Sequence, residues 1–256
     1  MRDEPGGTQV TENGGPAALS WSLGSLPWPE IGRALARDPR LIVPIGALVQ
    51  HGPHLPLGTN TFIAEAVAIA ASQEFRVLRA PTFQFGVRGP EREDYAGTAG
   101  LQRKTLHRAV NELIAEWEDH GVQEFILLTA HRLEAHIEAL LMALTSSASK
   151  VVVNLYSMDV GDLLDGSPLS EHGGELETSL MLYLAPDLVQ MGHSADVLPD
   201  PKTLRKYARG RVATPPPGSR GILGAPSRAT AEKGAAVFSR YIKGLQEILG
   251  KETQPP

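Results

Sequence analysis

Short apolar runs alternate along this chain with segments whose apolar residues recur at helical spacing, and this restricts the fold more than any other feature. Leu41–Ala47 reads as a short buried strand. Thr59–Ser72 reads as a helix, with Thr59, Asn60 and Thr61 as candidate N-caps. Arg76–Ala80 reads as a further strand. Across Leu106–His120, the side chains of Leu106, Val110, Leu113, Ile114 and Trp117 share one helical face, and Gly121 supplies the stop. Glu124–Thr129 reads as a strand, Glu134–Ser146 as a helix, Val151–Tyr156 as a strand and Glu175–Leu184 as a helix ending before Pro186. Thr230 opens the last helix, in which Val237, Tyr241, Leu245 and Ile248 share a face. Such alternation predicts an α/β fold of three layers, α/β/α, with a mostly parallel central sheet covered on both faces. Ligands of such folds sit beyond the carboxyl ends of the strands.

The composition narrows the function. Of 256 residues, 42% are hydrophobic and 21% charged, enough for one sizeable core. A single domain over residues 21–250 is expected, between flexible tails at 1–20 and 251–256. The Pro-rich stretch at 214–218 reads as a stiff loop. The absence of cysteine excludes disulfides, thiolate zinc sites and a cysteine nucleophile, so any metal must use His, Asp, Glu or Asn. A net charge of -5 without a long basic run argues against nucleic acid and against a polybasic membrane contact. Apolar runs such as Leu140–Leu144 fall far short of the ~20 residues of a membrane span. Met1–Gly15 lacks an apolar h-region, so no secretory signal is expected and the location predicted is cytoplasmic. The expected partner is a small molecule.

Polar residues collect where the predicted strands end. Gln50-His51-Gly52-Pro53-His54 follows the first strand, and Thr129-Ala130-His131-Arg132 closes the strand at Glu124. Glu171-His172-Gly173-Gly174-Glu175-Leu176-Glu177 precedes a helix. Each has a plain alternative. His51 and His54 can serve loop carbonyls around Pro53. His136 and Glu138 read as a solvated helix face. Glu175 and Glu177 suit a first helical turn through the macrodipole. Glu171 and His172 can form a surface pair worth under ~1 kcal/mol.

Pro44–Thr61, reading P-I-G-A-L-V-Q-H-G-P-H-L-P-L-G-T-N-T, closely resembles the first motif of the creatininase family. Tyr95–Leu101, Thr129–Glu134, Glu171–Ser179 and Gly221–Gly234 resemble four further motifs in the same order, and Leu26–Glu30 is similar to the family's opening. The resemblance covers about residues 25 to 249. It implies the three-layer α/β/α fold, a homo-oligomer, and metal-assisted hydrolysis of C–N bonds in small amides, in which two divalent ions share a bridging carboxylate.

Two positions depart from the pattern. The family's first ligand, a Glu, falls on Val49, and the bridging Asp falls on Asn60. The ligand histidines are kept as His51 and His131. Leu133 occupies one position from which a further carboxylate is drawn, which leaves Glu175 and Glu177 as candidates. Two dications without these carboxylates are hard to desolvate, so no dinuclear centre is expected. A single zinc or manganese ion on His51, His131 and Glu177, with Asn60 as a weak fourth group, is one expectation; no metal at all is the other. Glu171-His172 matches the pair that handles substrate protons, with His172 as general acid/base oriented by Glu171. His51, His131, Arg132, Asn60 and Thr98 are expected to bind substrate. The reading is an enzyme acting on a small amide or carbonyl compound, by hydrolysis or by the reverse cyclisation. A catalytically inactive binding or assembly subunit is the alternative. In a third reading Glu91, Glu93 or Asp94 supplies the missing carboxylates.

Overall fold

The computed structural model describes residues 21–89, 95–166, 171–198, 200, 202 and 218–250. The expected tails, the loop residues 214–217 and the acidic residues Glu91, Glu93 and Asp94 lie outside them.

Four parallel strands, β1 (Arg40–Ile45), β2 (Leu78–Arg79), β3 (Glu124–Thr129) and β4 (Ser149–Asn154), form a sheet in the order β2-β1-β3-β4. Alternation along the strands splits the core in two. Leu41, Val43, Ile45, Phe125 and Leu127 pack under α1 (Trp28–Arg37), α3 (Arg103–Asp119) and α4 (Glu134–Leu141). Ile42, Ile126, Leu128 and Val153 pack under α2 (Thr59–Phe75), α5 (Glu175–Leu184) and α6 (Ala231–Leu249). This is the three-layer α/β/α arrangement with a parallel sheet.

The differences from expectation are local. Helix α1 has no counterpart in the sequence reading: Pro29 falls in its first turn, where no intrahelical N–H is needed. Strand β1 stops at Ile45, before Gly46, which lies so close to Thr61 that there is no room for a Cβ. Strand β2 shortens to two residues because Arg76 turns left-handed, at φ 55, as the C-cap of α2. Helix α4 ends at Leu141 rather than Ser146. The Lys150 amine donates to the carbonyls of Leu140, Leu141 and Ala143, and the Glu118 carboxylate accepts from the amides of Ser146, Ser147 and Ala148. The backbone there is satisfied without a helix. Leu113 is 37% exposed, whereas Leu106, Val110 and Ile114 are buried as the α3 periodicity predicts. Thr230 caps α6 as expected, accepting from the Lys233 amide at 3.2 Å.

Because the strands are parallel, β1, β3 and β4 all end on one side. The segment holding Val49 and His51 leaves β1, the one holding His131 and Arg132 leaves β3, and Tyr156 follows β4 in a short turn. No helix among the described residues is long and apolar enough to cross a membrane.

Candidate metal centre

His51 is fully buried, and its ring orientation is set by its own loop. Nδ1 lies 2.9 Å from the Val49 carbonyl oxygen, so Nδ1 carries the proton and donates it. Nε2 then bears a bare lone pair. It is buried without a hydrogen-bond partner and faces Glu177 Oε1 at 3.7 Å. Burial pushes the His51 imidazole down to about 3, against the opposing pull of Glu177, so the ring is neutral. A neutral nitrogen lone pair and a carboxylate oxygen thus face one another with no proton between them. That pairing is unfavourable unless a cation joins it.

Glu177 sits in the first turn of α5. Its Oε2 accepts from the Gly173 amide at 2.5 Å. Burial works against ionisation, but the charge that His51 and His172 carry when protonated, the Arg132 guanidinium and the Gly173 amide overcome it and hold this carboxyl down to about 2. His172 stacks on His51 with ring centroids 4.5 Å apart, and its Nε2 donates to the Gln50 carbonyl oxygen at 2.6 Å. Ligand atoms of His51, His172 and Glu177 all lie within 4.8 Å of one another, and all three residues are buried. Two imidazoles and one carboxylate are a donor set for zinc or manganese.

His172 stands with His51 and Glu177 in this group, whereas His131, expected as a ligand, is not among them. The His131 Nε2 donates to the Val87 carbonyl oxygen at 2.9 Å, and its ring meets His136 edge-on at 4.9 Å. Burial lowers His131 to about 4. His136 is not on a solvated face but fully buried, as its neighbours require. Its Nδ1 accepts from the Val87 amide at 3.2 Å, so Nε2 carries the proton and donates to Thr129 Oγ1 at 3.1 Å. Both histidines thus fasten the Gly86–Val87 segment to the end of β3. His136→Leu is expected to destabilise the fold by about 1–3 kcal/mol, through the unsatisfied Val87 amide, as read by urea denaturation. No signal in the sequence distinguished His136 from its exposed neighbour Glu138.

Glu171 and His172 are buried rather than a surface pair. Both carboxyl oxygens of Glu171 cap α5, accepting from the Glu175 amide at 2.9 Å and the Leu176 amide at 2.5 Å. Burial raises the Glu171 carboxyl to about 8, while Arg132 and these two amides pull it back. The carbonyl of Gln50 orients His172, whereas Glu171 shapes the turn that carries it. Gly173, at φ 60, lies against the His51 carbonyl so closely that a Cβ would overlap it.

Glu175 is excluded from the centre by its own partners. It accepts from Lys233 Nζ at 2.5 Å and from the amides of Asp165 and Gly166. Asn60 donates Nδ2 to the Ala130 carbonyl at 2.7 Å, leaving Oδ1 buried without a partner. Val49 is buried, and Leu133 packs against the sheet. Arg132 lies 4.5 Å over the Tyr156 ring and 4.0 Å from Glu177 Oε1. Thr98 stands beside the Leu48–Ala99 bridge with its hydroxyl buried and unpartnered. His54 binds Thr178 Oγ1 at 3.0 Å, and the Gln50 side chain spans Gly52 and Gly221.

Comparison with known proteins agrees with this architecture. Residues 24–249 match the creatininase family model, described as creatinine amidohydrolase. The creatinine amidohydrolase of Pseudomonas putida is 30% identical over 91% of this chain and 97% of its own length. The mycofactocin precursor peptide peptidase of Mycobacterium ulcerans is 30% identical over 85% of this chain and 87% of its own. A mutant creatininase of Zn-Zn type superposes with a TM-score of 0.75 at 26% identity, over 91% of this chain and 99% of the other. A manganese creatininase gives 0.72 at 25% identity, over 91% and 100%. On the extent of these matches, the chain belongs to the creatininase family.

Proposed function

We propose that this protein hydrolyses a C–N bond in a small amide or short peptide, with a single divalent ion held by His51, His172 and Glu177. The observation that carries this reading is the His51 Nε2 lone pair, buried, unpartnered and facing the Glu177 carboxylate at 3.7 Å. Zinc or manganese held there would supply Lewis acidity and lower the pKa of a bound water. The chain's own contribution is orientation. The Val49 carbonyl fixes the His51 tautomer, the Gln50 carbonyl keeps the His172 proton on Nε2, and the Gly173 amide anchors Glu177. Acid–base work expected of Glu171 and His172 narrows accordingly: His172 is a ligand, and Glu171 positions it by capping α5.

The chemistry of a second ion does not fit the residues present. Val49 and Leu133 offer no donor, Asn60 offers one neutral oxygen, and Arg132 brings a positive charge close to Glu177. Substrates of the relatives, creatinine and a precursor peptide, set the compounds to try first. Protein purified without chelator and soaked in zinc or manganese is expected to hold one ion per chain by elemental analysis. Two ions would restore an ordinary dinuclear centre; none, with no turnover of cyclic amides or short peptides, would favour an inactive binding subunit.

A further inference from the structure

Gln50 is 3% exposed, and its side chain joins two stretches of chain that carry the ligand histidines. Its Oε1 accepts from the Gly52 amide at 2.8 Å, and its Nε2 donates to the Gly221 carbonyl at 3.2 Å. Its own backbone carbonyl accepts the Nε2 proton of His172 at 2.6 Å. The Gly52 amide belongs to the peptide that follows His51, and the Gln50 carbonyl to the peptide that precedes it. The ring closed by Oε1 therefore fixes both planes flanking His51. On the other side, Gly221 stands two residues before Leu223, which exchanges backbone hydrogen bonds with His172 at 2.7 and 2.8 Å.

An amide is what these positions call for. One backbone partner is a donor and the other an acceptor, and a carboxamide offers the complement of each. Glutamate would set oxygen against the Gly221 carbonyl, and methionine would leave both backbone groups unmet. The chain is shaped to bring them within reach. Gly221, at φ 83, lies where a Cβ would overlap Gln50 Oε1, and Gly52, at φ 77, lies where a Cβ would overlap Ile222. Residues 49–52 belong to no helix or strand, so no ladder of repeating bonds holds the peptides beside His51. Side-chain bonds must hold them instead.

We propose that the side-chain amide of Gln50 is a positioning group for the centre. It fixes the peptides on either side of His51 and, through the Gln50 carbonyl and the Gly221–Leu223 segment, keeps His172 against His51 with its proton on Nε2. The inference rests on the hydrolytic reading for what the centre does, whereas the His172 tautomer is a property of the metal-free protein.

Gln50→Met keeps the length of the side chain and removes both bonds. Zinc affinity, read by competition with a chelator, is expected to fall by about 10–100-fold, the range for losing an outer partner of a ligand. The second readout is the long-range proton–nitrogen NMR spectrum of the metal-free protein under mildly alkaline conditions, where imidazoles are neutral. In it His172, assigned by comparison with His172→Gln, should change from a single Nε2–H tautomer to an average of both. His131, held by the Val87 carbonyl, should stay as it was. A general loosening of the fold gives a different pattern: Lys233→Met, which breaks the ion pair to Glu175, should lower the urea midpoint with zinc affinity unchanged. Unchanged zinc affinity in Gln50→Met, or a His172 that keeps its single tautomer, would overturn the proposal. If circular dichroism shows Gln50→Met unfolded, Gln50→Asn takes its place: it keeps the amide but is one methylene too short to span both partners. Both changes should appear there in weaker form, and the absence of either would overturn the proposal. If the unaltered protein takes up no zinc, the hydrolytic reading fails separately, and the tautomer alone decides this one.

Discussion

Glu177→Gln is expected to empty the metal centre while the fold stands. Glutamine preserves the volume of the side chain and can still accept from the Gly173 amide, which now bonds Oε2 at 2.5 Å. What it removes is the negative charge facing the bare Nε2 of His51. The other two ligands are neutral imidazoles, so the dication loses the charge that offsets its desolvation. Zinc affinity should fall by more than about 100-fold, beyond the 10–100-fold typical of losing an outer partner. Competition with a chelator measures it, with circular dichroism as the check on folding. Undiminished zinc binding would mean that the ion sits elsewhere.

Lys233→Met should do the opposite, leaving zinc content unchanged and lowering stability by about 3 kcal/mol, the lower end for breaking a buried ion pair. Glu175 is 1% exposed and loses its charged partner; the amides of Asp165 and Gly166 remain to soften the effect. The shift in urea midpoint reads the change. Loss of zinc without loss of stability would place Glu175 in the centre instead.

The contrast between these two glutamates shows where sequence reasoning stops. Residues two apart on a helix point to different sides. Glu177 turns to His51, and Glu175 turns to Lys233 on α6, 58 residues away. Both fit the same pattern in the chain, and nothing local chooses between them. The same holds for His131 and His172. Both follow strand-end or glycine-rich signals and both spend Nε2 on a backbone carbonyl, of Val87 and of Gln50, yet it is His172 that lies against His51 and beside Glu177. Alternating strands and helices were legible because periodicity is a local property, and so the parallel sheet and its two covered faces came out as expected. Element ends were not, since α4 stops where Lys150 and Glu118 meet its loop, partners far along the chain. The histidine at 136 was misplaced for a related reason: one polar residue on a helix does not announce that a backbone amide and a threonine hydroxyl wait for it in the interior.

The bond between His172 and the Gln50 carbonyl joins residues 122 apart in sequence, and the Gly173 turn seats on the next carbonyl along. The halves of the ligand set thus exist as a set only once the C-terminal part of the chain has docked on the N-terminal part. An ion bound there acts as a clasp between two stretches of polypeptide. Its binding energy adds to the cohesion of the whole molecule by mass action, so the temperature of unfolding should climb with zinc concentration, and chelation should loosen the clasp before it touches the sheet.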